Sequence, residues 1–369
     1  MRAIGIILAG GRSEHLKGLA TKRAIPAMPI GGCYRTVDFS MSNMSNSGVN
    51  KVAVITQYSS RSLVDHLSSA KWWDLGRKQG GLFVFSPYIT SDNPFGYRGT
   101  ADAIYKNINF LKRSNEPYVI IASGEHVYKM DFDKVLEYHK ERQADITIVC
   151  KDMRDEDISN YGVMTLDENN RLKEFEEKPI DPQTSTISLG IYIIQRTLLI
   201  KLLEDINSES RYDFVSDIII RYRRRLRIYG YPFEDYWRSI RTIQTYFDAN
   251  MDFLKKGVRD LFLKQYPYIT SKVKDEPPAK YNYSSSVRNS LVGGGSILNG
   301  YVEDSVLFRK VFTGTDSTIK NSVIMEGTYI GNNCRIEYAI LDKEVVVSDG
   351  RELIGTREKP VILEKGSVI

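Results

Sequence analysis

Two adjacent glycines, Gly10 and Gly11, follow a short apolar run, Ala3 to Leu8. With no side chains in the way, backbone N–H groups at such a turn can approach a phosphate or a base closely. The dipeptide by itself more often marks no more than a tight turn. The loop after it is basic and runs into Lys22-Arg23-Ala24-Ile25-Pro26, so the chemistry to look for is the holding of an anion. Metal–thiolate chemistry is not indicated. Cys33, Cys150 and Cys334 lack metal-ligand spacing, and their odd number argues against a disulfide framework.

The elements that must position this loop alternate in type. Ala3–Leu8 reads as a buried first strand, and Lys51–Thr56, Tyr118–Ser123 and Asp145–Cys150 read as further buried parallel strands. Between them, Ser59–Ser69 and Asp131–Arg142 carry helical periodicity, the second with Asp131 placed as its N-cap. Strands alternating with helices predict an α/β sheet with ligands at the carboxyl ends of its strands. Thr242–Lys256 reads as an amphipathic helix closing this domain, which spans residues 1–263.

Residues 264–286 contain Pro267, Pro277 and Pro278 and no sustained period, which reads as a linker. From 287 to 369 the chain turns rich in Gly, Val, Ile and Asn. Ile330 and Ile336 are six apart, as are Ile340 and Val346. A six-residue period with one apolar residue per turn predicts a left-handed parallel β-helix, each side chain stacking on its counterpart a coil below. Arg309–Thr315 interrupts the pattern as an insertion, and a β-sandwich is the other reading. Open coil ends would favour stacking against another subunit.

With 42% hydrophobic and 26% charged residues the chain is globular in composition. A net charge of +5, from 51 basic against 46 acidic residues, is too mild to imply nucleic acid. The dense run Arg221–Arg227 suits a solvated helix end before the strand Ile228–Pro232, with a polyanion or subunit contact as the other use. No apolar run nears the ~20 residues that span a bilayer. Met1-Arg2 leads straight into a strand rather than a signal peptide, so the expectation is a cytoplasmic protein with no membrane partner.

Beyond these patterns, the text itself is specific. Leu8-Ala9-Gly10-Gly11, the basic loop, Lys22-Arg23, Gly31-Gly32, Tyr34-Arg35, Val37-Asp38-Phe39, Ser42-Asn43 and Asn46-Ser47-Gly48 resemble the N-terminal signature of bacterial ADP-glucose pyrophosphorylases (glucose-1-phosphate adenylyltransferases), within the sugar-nucleotide nucleotidyltransferases. The resemblance covers essentially the whole chain and implies a Rossmann-like nucleotidyltransferase domain with a mostly parallel sheet, followed by the β-helix. It implies that Leu8, Gly10, Gly11 and Gln57 lie where the family holds adenine. Tyr97, Gly99 and Thr100 fall in the Tyr97–Ala103 loop against nucleotide and sugar phosphate. By the same token Glu177 holds glucose hydroxyls and Lys178 the sugar phosphate, with Ser188 and Gly190 in a neighbouring sugar-binding segment and Tyr231–Phe233 and Tyr236–Arg238 completing the frame.

The departures from that family fall on its chemistry. Synthesis of a sugar nucleotide from a nucleoside triphosphate and a sugar 1-phosphate is an in-line displacement needing a metal bridge and cations on the leaving pyrophosphate. Where the family's phosphate loop has a third glycine and an arginine, this chain has Ser13 and His15, with Glu14 adding an anion; where it has lysine, this chain has Ile25. Glu125 replaces the first metal-binding aspartate, and Ser239 the second. Arg241 replaces a glycine beside it. Each such contact is typically worth ~10²–10³ in rate.

This pattern resembles the non-catalytic regulatory (GlgD-type) subunit of Gram-positive bacteria. The resemblance implies no catalytic cofactor in this chain, Mg²⁺ being held by a catalytic partner, and assembly with that partner into a heterotetramer, or with itself when alone. Lys22, Arg23 and Arg35 match basic residues lining an effector site for phosphorylated sugars between the domains, although surface ion pairing would use the same residues; the family's nearby histidine is Pro29 here. The competing expectations are an adenylyltransferase active in its own right, a β-helix acyltransferase, for which no histidine lies in the β-helix, and a structural partner that binds no ligand.

Overall fold

The computed structural model describes residues 2–12, 14–76, 80–88, 96–154 and 156–369; Ser13 lies outside the described residues. Strand β1 (Ala3–Ala9) is the centre of a nine-stranded sheet. It is flanked by β2 (Lys51–Thr56) on one side, which leads to β3 (Gly81–Phe85), and by β4 (Tyr118–Ser123) on the other. These four run parallel. Alternate residues of β1 go to different cores: Ile7 packs on one face, Ile4 and Ile6 on the other. A strand covered on both faces must be apolar throughout, which is why its sequence does not alternate.

A short strand β5 (His126–Tyr128) follows β4, and the helix Phe132–Glu141 begins one residue after its cap, Asp131, whose carboxylate accepts from the Asp133 N–H. The far half of the sheet comprises β6 (Ile146–Asp152), β7 (Gly162–Leu166), β8 (Leu172–Glu177), β9 (Thr186–Gln195) and β10 (Ile228–Pro232). Here β9 runs antiparallel to both β4 and β6, and β10 runs parallel to β6. The basic run before β10 is the end of a helical segment. Two of its arginines are held by surface ion pairs, Arg221 with Glu209 and Arg227 with Asp145. Finally β11 (Trp237–Ser239) pairs antiparallel with β5.

The helix expected over Thr242–Lys256 is shorter. Thr242 caps it, its hydroxyl accepting from the Thr245 N–H, but it ends at Asp252. Phe253 and Leu254 turn the chain, extended backbone at Lys255 ends the helical path, and a second helix covers Lys256–Leu263. The expected linker is likewise less free than its prolines suggest. Ile269 is buried, and Thr270 bonds to Ser42 and accepts from the Trp73 indole. Strand pairing with the C-terminal domain already starts at Lys280–Tyr281, inside that stretch.

The C-terminal domain is a three-sided prism of parallel five-stranded sheets. Val302, Ile319, Ile336 and Leu353 lie in register up one side, and Leu307, Ile324, Leu341 and Leu363 up another. Serines hold its corners. Ser305 Oγ accepts from the Ser322 N–H one coil on, and Ser322 Oγ from the Ala339 N–H. This parallel β-helix excludes the β-sandwich reading. Arg309–Thr315 is no insertion, since Phe312–Thr313 pairs in register with coils above and below. The coil is lengthened instead between Glu352–Ile354 and Val361–Leu363, where Gly355–Pro360 loop out.

Candidate functional site

Register brings the candidate segments together. Leu8 stands opposite Ile55 on β2 and Ser123 on β4, so Gly10-Gly11, Gln57 and Gly124-Glu125 emerge side by side at the carboxyl ends of three parallel strands. The approach is close. A Cβ on Gly10 would lie 3.2 Å from the Gln57 Cβ, and one on Gly11 would lie on top of a Glu125 carboxylate oxygen. Pro26 abuts Gly124 on the other side. Arg12 then places its guanidinium 3.7 Å above the Tyr58 ring, folding the basic loop back over the Gln57 turn.

A second strap closes over this edge. Gln57 Nε2 donates to the Tyr97 carbonyl at 3.2 Å, and Asn107 donates to the Tyr97 hydroxyl. Gly99 precedes the helix Thr100–Lys106, and a Cβ there would meet the Tyr212 carbonyl at 2.4 Å, the same carbonyl that accepts from the Ala101 and Asp102 N–H groups. Thr100 Oγ1 meets Asp213 and accepts from the Phe214 N–H. The residues expected against a nucleotide thus form one connected rim.

Beside it lies a cleft walled by Tyr161, Glu177, Ser188, Gly190, Trp237 and Arg241, with His126 at its base. Gly190 adopts a left-handed φ of 64°, and its N–H donates to the Ser188 hydroxyl. Lys178 is exposed, with its N–H bonded to the Tyr161 carbonyl, and its charge counters the desolvation that raises the Glu177 carboxyl. His126 is buried against the Trp237 ring at 4.9 Å. Burial, with Arg241 adding to it, pushes its pKa down to about 3, so its imidazole is neutral at physiological pH. Sequence reasoning placed Trp237 in the frame but assigned no role to His126 or Tyr161; only their folding onto one cleft marks them.

The four positions expected to be degraded divide into two kinds. Glu125 and Ser239 are brought together: β5 and β11 set Ser239 opposite His126, and the Ile240 N–H donates to the Glu125 carbonyl. Arg241 Nε lies 3.4 Å from Glu125 Oε2, the two side chains being 46% and 6% exposed. Burial raises the Glu125 carboxyl, and Arg241 opposes that shift. Ile25 is buried in a turn of the core, and His15 stands exposed on the segment Glu14–Ala20. Neither supplies a fixed cation.

The metal that phosphoryl transfer calls for does not fit these residues. Mg²⁺ wants octahedral oxygen ligands, with carboxylates among them. Here it would meet one carboxylate already facing a guanidinium, and a neutral serine hydroxyl. Among the described residues no group of three or more His, Cys, Asp or Glu side chains comes together to hold a metal.

The two domains meet at a second cleft. Arg35, Lys272, Lys274, Arg309 and Lys343 line it, together with Pro29 and Glu326. Arg35 donates to the Ser62 carbonyl at 2.5 Å. Glu326 is held by Lys274 and Lys343, which overcome its burial and bring its pKa to about 2. Of the three expected effector residues, Lys22 is exposed and Arg35 lines the cleft, but Arg23 is committed elsewhere. Its guanidinium makes a bidentate bond to Asp342 at 2.6 and 2.7 Å. Charge and spacing could not reveal that partner, which lies on the β-helix.

Comparison with known proteins agrees with this fold. A family model described as nucleotidyl transferase matches residues 4–256, and one described as a GlmU-like C-terminal hexapeptide matches residues 277–359. The glucose-1-phosphate adenylyltransferase of Bacillus cereus (strain ATCC 10987 / NRS 248) is 38% identical over 352 residues, spanning 95% of this chain and 94% of its own length. The chain belongs to the glucose-1-phosphate adenylyltransferase family. Relatives of the same name from Bacillus thuringiensis (strain Al Hakam) and Bacillus mycoides (strain KBAB4) are equally similar, at 38% identity over 95% of this chain. As a family member it carries the nucleotidyltransferase domain on a mostly parallel sheet, and its prism is the left-handed β-helix of hexapeptide repeats. Among the described residues no helix is long and apolar enough to cross a membrane.

Proposed function

We propose that this chain is a regulatory, catalytically degraded subunit of glucose-1-phosphate adenylyltransferase. In this reading it assembles with a catalytic homologue and modulates that partner's synthesis of ADP-glucose and pyrophosphate from ATP and glucose 1-phosphate. The observation that carries the reading is the Arg241 guanidinium on Glu125 at 3.4 Å, at the point where the reaction needs a divalent cation between carboxylates. Buried Ile25 and the Ser239 hydroxyl add to it. Losses within one catalytic constellation are not additive, yet any of them alone typically removes ~10²–10³ in rate. The nucleotide rim and the sugar cleft stay folded around the altered centre, as a subunit that binds without turning over requires.

The route of modulation would be the inter-domain cleft. A phosphorylated sugar there would draw on Arg35, Lys272 and Lys343, and by biasing how the β-helix sits on the first domain it would bias the assembly. The basic loop touches both regions: Gly10-Gly11 at the nucleotide rim, and Gly18 against Glu364 of the β-helix. The setting would be the cytoplasm, and the partner would hold Mg²⁺.

The test is adenylyltransferase turnover with ATP, glucose 1-phosphate and Mg²⁺, for this chain alone, a catalytic homologue alone, and the mixture. Silence of the chain alone with a changed rate or effector response in the mixture is the expected outcome. Turnover by the pure chain would instead make it an adenylyltransferase in its own right, and an unaltered mixture would remove the regulatory role.

A further inference from the structure

Three buried polar atoms around the sugar cleft are left without a hydrogen bond: His126 Nδ1, Trp237 Nε1 and Ser239 Oγ, the last with the Tyr161 hydroxyl nearby. They sit on two paired strands, with Ser239 directly opposite His126 and Trp237 opposite Tyr128. Buried polar groups in native proteins are nearly all bonded, so each orphan asks for an explanation. Three within one small ladder, two of them on side chains that line a cleft, point to a ligand. The indole N–H can only donate, whereas the imidazole and hydroxyl can take either role. A polyhydroxyl ligand carries both donors and acceptors, the complement such groups need, and the Glu177 carboxylate and Ser188 hydroxyl extend the same surface.

The charge at this cleft is unusual for a phosphate site. A divalent cation between two carboxylates sums to zero, and so does the Glu125–Arg241 pair. A guanidinium also carries N–H donors in a planar fork that matches phosphate oxygens, and it needs no dehydration of a metal ion. We propose that this cleft binds a sugar phosphate without a divalent cation, with the Arg241 guanidinium supplying the positive charge at the phosphate. Arg241 is then the residue that separates binding from turnover. It neutralises Glu125 and meets the phosphate, and it offers none of the Lewis acidity that a transferring phosphoryl group requires. The proposal rests on the reading of this chain as a subunit with a disabled phosphoryl-transfer centre, and concerns what that centre still recognises.

Calorimetric titration of the full chain with glucose 1-phosphate, in EDTA and in MgCl₂, tests it. The wild-type chain should give the same Kd in both buffers, and inorganic phosphate should compete. Arg241→Gly should weaken binding by about tenfold or more, the scale of one charge-assisted contact, and Arg241→Lys should recover part of the loss. The double substitution Ser239→Asp with Arg241→Gly should make binding depend on Mg²⁺. Wild-type binding that disappears in EDTA, an unchanged Kd for Arg241→Gly, or no binding in either buffer would each overturn the proposal. All these outcomes are read from binding, whereas the regulatory reading stands or falls on turnover of the mixture, so each can fail without the other.

Discussion

Arg23 and Asp342, 319 residues apart in the chain, meet in a bidentate guanidinium–carboxylate bond at 2.6 and 2.7 Å, with both side chains buried. The bond joins the basic loop of the nucleotidyltransferase domain to the β-helix. Replacing both partners by apolar groups can be nearly neutral, but removing one strands a buried charge and typically costs about 3–5 kcal/mol. Arg23→Ala should therefore lower the urea midpoint strongly, and Arg23→Leu with Asp342→Leu should recover much of the loss. Effector binding at the inter-domain cleft should weaken only through that loosening, so the double variant should regain it; direct contact of Arg23 with an effector would leave the double variant without binding.

Stacking holds the β-helix. Ile319 is fully buried between Val302 and Ile336 on neighbouring coils, and a coil buries its apolar side chains only against the coils next to it. Truncating a buried isoleucine to alanine costs about 2–5 kcal/mol. Ile319→Ala should lower the melting temperature clearly, while Thr318→Ala, on the outer face one residue away, should hardly move it. Equal effects from the two would contradict the stacking.

Legibility in the sequence followed the range of the forces involved. Ala3–Leu8, Lys51–Thr56 and Tyr118–Ser123 were readable as strands because burial on both faces of a sheet leaves an unbroken apolar run. The β-helix was readable from a six-residue spacing because each coil repeats the environment of the last. Gly10-Gly11 stood out as two adjacent residues without side chains, and it is there that Gln57 and Glu125 come close. What stayed hidden depends on distant pairing. Arg23 looked like an anion ligand because Asp342 is invisible from its neighbourhood, and Arg241 showed only as a cation in place of a glycine because its carboxylate partner arrives on the distant turn after β4. Lys280–Tyr281 looked like linker because a two-residue strand has no period of its own.

Acid should destabilise the fold through histidines held neutral. His139 packs edge-on to the Tyr118 ring and bonds Thr147 Oγ1 at 2.8 Å. Burial lowers its pKa to about 4, with Asp145 opposing and Lys140 adding. Between that value and 6.5 the unfolded chain binds a proton that the native chain does not, so stability falls as pH drops, by up to about 1.4 kcal/mol per pH unit for this group. Glu125 has the opposite sign: raised by burial, it contributes stability that is lost as pH rises through its native pKa. Urea unfolding from pH 7 to 4.5 should show a shallower decline for His139→Gln than for the wild-type chain. Parallel curves would mean that His139 is protonated in the native state.

If the altered centre is what silences the chain, rebuilding it should restore chemistry in steps that follow the geometry. Ser239→Asp alone should do little, because Arg241 would remain on Glu125 and repel a divalent cation. Arg241→Gly alone removes that cation but leaves a single carboxylate, too few for a tight Mg²⁺ site. The combination Glu125→Asp, Ser239→Asp and Arg241→Gly supplies one carboxylate from the turn before β5 and one from β11, with a space between them. It should bind Mn²⁺, read by water-proton relaxation, and release pyrophosphate from ATP and glucose 1-phosphate at a measurable rate. Adding Ile25→Lys should raise that rate further, typically by ~10²-fold for one electrostatic contact, provided the backbone at 25–27 can turn a lysine out of the core. Mn²⁺ binding without any turnover would place the defect in the phosphate loop around His15 instead. A triple variant that fails to bind Mn²⁺ would mean that positions 125 and 239 do not present their side chains to a common point.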